Sequence, residues 1–589
     1  MTAHLSRRTG SEKGKIGVQE TTFSLDILGR FVCNTWEEAT VNPCFDAVVI
    51  GAGMYGAYCA DKIYRSDAGR RLRVLVLEAG SFLLPEHVQN LPNITLFAPS
   101  PIEPSTDTGH PRNLVWGMPW RGNHPFVGLP YCVGGKSLFW GGWSPRLTEA
   151  DLAQWPAEVA QYLRTHYPLL ERQTGIAYVT DFIQGALYEA LRNKAAAVAE
   201  SVPALQTVES PPLAVMATDP ASGCFAFNKF SSVPLLIGAI RDAIDEAGGD
   251  DRIRRLFLVP KAHVVKLHTR EGAVRQIEVS VNGQRRFLPI APTCAVVLAA
   301  SAIESTRLAL ESFPTTTAPR EERMGRNLMA HLRTNVTVRI RRSALETPDT
   351  PLPVRLQTAA LLIRGETPDG RFHIQLTAAD DPNGNSDALL FRMVPDMDQL
   401  DTLLDAQRAD CVSLTLRGFA EMRGERERIV HDPCGRWIDL SPFERDEYGM
   451  RRAYVYLTLT AAERRLWDAM DQAAYALARK LANDDPHAIE YIYDNAGHQT
   501  PPPPEKVRDG LGTTYHESGT LWMGEDPVTS ITDVNGRFHH IVNAYCADQA
   551  LFPTVGSANP VLTGLVLARK VAEAIVCRGT ALPVTTGTY

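Results

Sequence analysis

Apolar residues along this chain gather in two patterns. Short, nearly unbroken runs occur at Phe45-Asp46-Ala47-Val48-Val49-Ile50, Leu72-Arg73-Val74-Leu75-Val76-Leu77 and Ala295-Val296-Val297-Leu298-Ala299-Ala300. They are β-branched and apolar, as strands buried on both faces must be. Residues 55–68, 183–200, 233–247 and 304–310 read instead as helices. Between 332 and 460 the chain alternates strand-like runs with turns, at Arg333–Ile340, His373–Ala378, Cys411–Arg417 and Arg452–Leu459. That succession predicts an antiparallel sheet. Thr460 to Leu481 predicts a long helix, with Thr460 as its cap and Glu463 three residues on. Pro85 to Pro130 is rich in Pro, Gly, Asn and Trp and has little periodicity. It reads as long loops, which in a compact domain are often functional. Pro501 to Pro504 reads as a polyproline linker.

The turn after the first run carries the first chemistry. Gly51-Ala52-Gly53-Met54-Tyr55-Gly56 follows the strand at once and opens a helix. Gly51 allows the tight turn, Gly53 a close backbone approach to a pyrophosphate, and Gly56 close packing of helix on strand. Free N–H groups at the helix start would face the phosphates. Glu78, at the end of the second strand, is placed to accept hydrogen bonds from ribose hydroxyls, and its charge disfavours a 2′-phosphate. Strand, loop, helix, strand and acid in this order predict a dinucleotide site, without separating NAD from FAD.

Length, composition and charge narrow the picture. At 589 residues the chain is too long for one core, so two interleaved domains are expected. Apolar content of 44% and charged content of 22% suit a globular protein. The net charge of −7 gives no basic footprint for nucleic acid. No apolar run nears 18 residues, so no membrane span is expected. Ser6-Arg7-Arg8 is followed by no apolar stretch and is not read as an export signal. The ten cysteines are scattered, without a CxxC pair, and predict buried free thiols in a reducing cytoplasm. His539-His540 has no acidic or cysteine partners at ligand spacing, so no metal site is expected.

Five segments in order give the chain a resemblance to the glucose–methanol–choline (GMC) flavoprotein oxidoreductases, spanning most of residues 45–578. They are the glycine unit with Glu78; Val133-Gly134-Gly135-Lys136-Ser137; Val297 to Ser305; Gly325-Arg326-Asn327-Leu328-Met329-Ala330-His331; and the block from His516 to Ala574. The resemblance implies an α/β fold. A Rossmann-like FAD-binding domain would be built from residues 43–85, 128–150, 225–330 and 512–578, after an extension over 1–42. An inserted α+β substrate domain, containing the antiparallel sheet, would take 86–127, 151–224 and 331–511. The cofactor it implies is FAD, held by Gly51, Gly53, Gly56, Glu78, Gly134, Gly135, Ser137, Val264, Asp548 and Pro560. Within the family the details lean toward the pyranose-oxidase-like branch. Phe139 stands where some members carry a histidine bonded to the flavin, which implies FAD bound without a covalent link. Ser301 stands where a glycine is common.

The same resemblance matches His516, in His-x-x-Gly-Thr, and Asn559, in Ala-Asn-Pro, to the catalytic positions. A histidine titrates in the range that suits taking a hydroxyl proton. An asparagine can hydrogen-bond the substrate oxygen and stabilise alkoxide character. The plain alternatives are a core histidine, a turn asparagine before Pro560 and, for Asp548, a helix cap. His331 reads as structural. Of the tryptophans Trp116, Trp120, Trp140 and Trp143, Trp143 is the first expected to touch substrate, with Phe139 and Trp140 beside it. The expected function is oxidation of an alcohol or sugar hydroxyl to the carbonyl, with hydride passing to flavin N5 and then to oxygen, a quinone or a redox protein. A lyase or photoenzyme on the same fold, or a non-catalytic FAD-bound partner protein, is the alternative.

Overall fold

The computed structural model describes residue 29 and residues 32–88, 115–176, 183, 185–216, 228–314, 323–346, 351–382, 406–426 and 435–581. Most of the N-terminal extension and the middle of the 85–130 loop segment lie outside these residues.

The nearly unbroken runs form one parallel sheet. Its order is Ala544–Cys546, Ala295–Leu298, Ala47–Ile50, Val74–Leu77, Leu256–Val259. Every residue of these strands is buried. The helix Met54–Ser66 packs against Val233–Ala247 and Val561–Ala581 to cover the sheet. The strands are shorter than the runs that predicted them. Asp46 and Arg73 stay outside, where the Asp46 carboxylate accepts the Arg73 backbone N–H at 2.8 Å and Arg73 Nε donates to the Arg254 carbonyl at 2.9 Å.

The alternating runs form a seven-stranded sheet in the order Ala496–His498, Ile489–Tyr493, His331–Arg341, Cys411–Glu421, Gly370–Asp380, Gln357–Thr367, Leu205–Glu209. All of its pairs are antiparallel. One face is apolar: Leu332, Val336, Val338, Ile374, Leu376, Leu414 and Leu416 pack with the helix Ala461–Leu481 in a single core. That helix starts as predicted. Thr460 Oγ1 accepts the Glu463 N–H at 3.2 Å and the Glu463 carboxylate accepts the Thr460 N–H at 2.9 Å. The other face is polar, with His331, Arg333 and Asn335 opposite Glu421, Phe419 and Arg417, and His373 and Gln375 alongside.

Five features depart from the sequence reading. Arg451–Tyr456 leaves the large sheet and pairs antiparallel with Trp437–Arg445, its neighbour along the chain, and parallel with Trp120–Gly122. Trp437 stacks on Tyr456 there, ring centres 5.2 Å apart. A helix over Ala157–Gln173 forms although it carries Pro168 inside it. Ala262–Arg270, Ala273–Val281 and Gln284–Pro289 add a three-stranded sheet. The polyproline stretch ends in a one-turn helix, Pro504–Val507. Cys44 and Cys577 are exposed rather than buried, while the other described cysteines are buried and outside any disulfide. Among the described residues, no helix is long and apolar enough to cross a membrane.

Candidate active site

A cavity of about 680 Å³ runs from the glycine loop of the parallel sheet to the polar face of the antiparallel one. At the first end it is lined by Gly51, Gly53, Glu78, Gly135, Ser137 and Val264. A Cβ added at Gly53 would stand in open space, room into which a phosphate can come. The helix that follows has Gly53 as its N-cap and no side chain capping it, so its first N–H groups are open to a ligand. Gly56 faces the other way. A Cβ there would lie 2.0 Å from the Gly51 carbonyl oxygen, so the helix can sit on the strand only without a side chain. Gly134 lies behind the wall, its N–H donating to the Ala52 carbonyl at 2.8 Å, which joins the second glycine loop to the first.

Glu78 is buried, and one oxygen accepts the Ala52 N–H at 2.8 Å while the other accepts the Gly80 N–H at 2.9 Å. Burial pushes its pKa up to about 7 against these backbone donors. Asp548 does not line the cavity. It accepts the Ser305 hydroxyl at 2.5 Å and the Ala550 N–H at 2.9 Å, and so caps the turn Gln549–Leu551. Ser305 Oγ accepts the Ala300 N–H at 2.9 Å, so Asp548 supports the cavity-lining segment at Ala300 from behind.

At the far end His516 and Asn559 both line the cavity, and Pro560 lies beside them. The His-x-x-Gly spacing has a packing cause. Gly519 has φ +88° and a Cβ there would lie 2.7 Å from the Asn327 carbonyl oxygen. That close approach lets Ser518 pair with Met329, in both directions, at 2.9 and 3.0 Å. The pairing brings His331 against His516, with Nδ1 to Nδ1 at 2.9 Å and the rings nearly perpendicular, at 87°. His331 Nε2 lies 3.0 Å from the Gly556 carbonyl oxygen. Gln375 Nε2 donates to Asn559 Oδ1 at 2.8 Å and lies 3.0 Å from His373 Nε2. The Asn559 oxygen is thereby engaged, and its N–H groups remain as donors. Burial, together with the positive charges of Arg333 and Lys136, holds His516 well below the ordinary histidine range.

Phe139, Trp140, Trp143 and Trp116 line the cavity, whereas Trp120 is buried in the core beneath the antiparallel sheet. Arg333, Gln375, Arg417 and Asp509 line the same cavity. Arg333 is ion-paired with Asp509, Asn335 Nδ2 donates to Asp509 at 2.9 Å, and Arg417 Nε donates to Asn335 Oδ1 at 2.8 Å. Sequence reasoning found none of these polar strand residues as site residues, and it read His331 as purely structural. Their signal is the alternation His331, Arg333, Asn335, which reads equally as the wet face of a surface sheet. Gln549 was also missed. It accepts the Tyr55 hydroxyl at 3.0 Å and donates to the Glu517 carbonyl at 2.6 Å, tying the glycine-loop helix to the turn that holds His516.

Residues 438–568 match the family model of the C-terminal region of GMC oxidoreductases. The chain is 37% identical over 71 residues to 5-(hydroxymethyl)furfural oxidase of Methylovorus sp. (strain MP688), a match covering 12% of this chain and 13% of that protein. It is 41% identical over 70 residues to paromamine 6'-oxidase of Streptomyces fradiae, covering 11% and 13%. The matched stretch thus spans only a small part of either curated relative. The fold as a whole is similar to pyridoxine 4-oxidase from Mesorbium loti, with a TM-score of 0.57 at 15% identity over 90% of this chain and 99% of that one. It is also similar to the formate oxidase of Aspergillus oryzae RIB40, with a TM-score of 0.56 at 14% identity over 91% and 98%. FAD is the cofactor of this family, and the cradle at Gly53 fits it. The C-terminal region that carries the His-x-x-Gly turn thus matches the GMC oxidoreductases, and the fold around the glycine loop and cavity is similar to that of two solved oxidases.

Proposed function

We propose that this protein oxidises an alcohol or sugar hydroxyl to the carbonyl, with His516 as the base and Asn559 as the group that holds the substrate oxygen. The observation that carries the reading is the single cavity joining the glycine loop to these two side chains. When bound in the cradle lined by Gly51, Gly53 and Glu78, FAD would supply the electron acceptor for oxidation of the carbinol carbon. Everything else falls to the chain. His516 makes no hydrogen bond through Nε2 among the described residues, and it lines the cavity, so that nitrogen faces the substrate. Held neutral by burial and nearby cations, it meets the hydroxyl as a base rather than an acid. The Asn559 N–H groups, aimed by Gln375, stabilise the oxygen as its proton leaves.

The substrate is bracketed by two kinds of wall. Phe139, Trp140 and Trp143 offer flat apolar contact, while Arg333, Gln375, Arg417 and Asp509 offer donors and an acceptor. This suits a ring compound bearing several hydroxyl or other polar groups more than a plain aliphatic alcohol. The relatives named as oxidases favour oxygen as the final acceptor, with a quinone or redox protein as the other choices. Anaerobic mixing of the flavin-loaded protein with a panel of sugars and ring-bearing primary and secondary alcohols tests the reading. Bleaching of the flavin by at least one of them is expected. A flavin that dithionite reduces but no member of the panel bleaches would count against it.

A further inference from the structure

We infer that His331 is a positioning residue that sets the tautomer of His516, leaving a bare Nε2 lone pair toward the cavity. The inference rests on the reading of His516 as the base, and the argument is one of donors and acceptors. A backbone carbonyl only accepts, so the 3.0 Å contact to Gly556 O requires the proton of His331 on Nε2. His331 is buried, 1% exposed, and burial pushes its pKa down to about 4. At neutral pH it therefore carries one ring proton, and that proton is already placed. Its Nδ1 is an acceptor. The 2.9 Å contact between the two Nδ1 atoms then requires His516 to donate from Nδ1. Neutral His516 so held has no proton on Nε2, which is the state a base at that atom needs.

The arrangement does the work that a carboxylate does behind many catalytic histidines, with a different electrostatic result. A carboxylate would favour the imidazolium and raise the pKa of the base. A neutral imidazole fixes orientation and tautomer without adding charge. The groups that face His516 do not favour its charge: after burial, His331 itself, Arg333 from the same strand, Lys136 from the turn Gly135–Leu138 and His373 from the adjacent strand all disfavour its protonation. Phe419 covers it from between, ring centres 5.4 Å apart. Orientation therefore comes from His331, and the low basicity from burial and from all the groups around it, His331 included.

Two readouts test this, and only one needs turnover. In protein labelled with ¹⁵N in its histidine rings, the His516 signals are identified by their loss in His516→Gln. Wild type should show a protonated Nδ1 and a pyridine-type Nε2. His331→Asn puts an amide oxygen where Nδ1 stood and should keep both that tautomer and the reduction rate to within a few-fold. His331→Leu removes the acceptor. It should let the proton move to Nε2 in a measurable fraction of molecules and slow flavin reduction by about tenfold or more, with little change in KM. A wild-type His516 protonated on Nε2 overturns the inference, as does a His331→Leu variant with unchanged tautomer and rate. If His331→Leu does not fold, the wild-type spectrum still decides. Should His516→Gln reduce its flavin at the wild-type rate, the base reading fails while the tautomer result stands on its own.

Discussion

His516 and Asn559 are each set by a neighbour the chain supplies from far away in sequence. They could be singled out as candidates because Gly519 and Pro560 flank them in fixed patterns. The partners were not legible, because a histidine or glutamine on a strand carries no mark of which face it will share. His331 and Gln375 come 185 and 184 residues before the side chains they hold. A prediction on pH follows from the histidine. Its pKa is lowered, so it stays unprotonated as pH falls through 6.5, and kcat/KM should hold its plateau below that value. An acid limb at or above pH 6.5 in a pH–rate profile would contradict the placement. Phe139 yields a second. With phenylalanine lining the cavity where some relatives carry a tethering histidine, acid precipitation should release all the flavin into the supernatant as FAD. Colour left on the pellet would refute this. Glu78 yields a third. Its carboxylate ties Ala52 and Gly80, and the residue lines the cavity. Hydrogen bonds to charged groups contribute about 1.5–3 kcal/mol each, so Glu78→Ala should weaken FAD by at least about tenfold in a titration of apoprotein. An unchanged Kd in a folded variant would show that the acid does not contribute to binding.

Elements were legible where their hydrophobic period was clean. Val233–Ala247 has the bounds its pattern predicts, and Ala461–Leu481 starts at the capping box read from Thr460 and Glu463. The helix Ala157–Gln173 was hidden by Pro168, which argues locally against a helix that packing of Val159, Leu163, Tyr167 and Leu170 sustains. Arg451–Tyr456 was assigned to the wrong sheet because alternation gives a strand its faces but not its partner. The element that bears most on function is the glycine-loop helix, whose approach to its strand leaves no room at Gly56. Gly56→Ala places a Cβ against the Gly51 carbonyl and must push the helix start off the phosphate cradle. Overpacking of this kind costs about 1–3 kcal/mol. The variant should keep its far-UV circular dichroism and lose most of its yellow colour on purification. Full FAD occupancy would mean that the loop tolerates the shift.

At the scale of the whole molecule, two sheets of opposite character meet around one cavity. The parallel sheet supplies the glycine loop and Glu78, while the antiparallel sheet supplies a polar face that would be waste on an isolated domain. Gln549 links the two ends, bonding Tyr55 beside the glycine loop and the Glu517 carbonyl beside the base. The presence of one parallel and one antiparallel sheet was readable from the unbroken and alternating runs. The meeting of the two halves was not, because it depends on which strand faces turn inward. The account's central claim is that the meeting point is a site of alcohol oxidation with His516 as its base. The most direct test is a stopped-flow record of anaerobic flavin reduction, comparing wild type with His516→Ala loaded with FAD, using any alcohol or sugar that bleaches the wild type. The account predicts a variant that folds and retains FAD but reduces it at least about a hundredfold more slowly, the range for a lost general base. Reduction of the variant at the wild-type rate would contradict it.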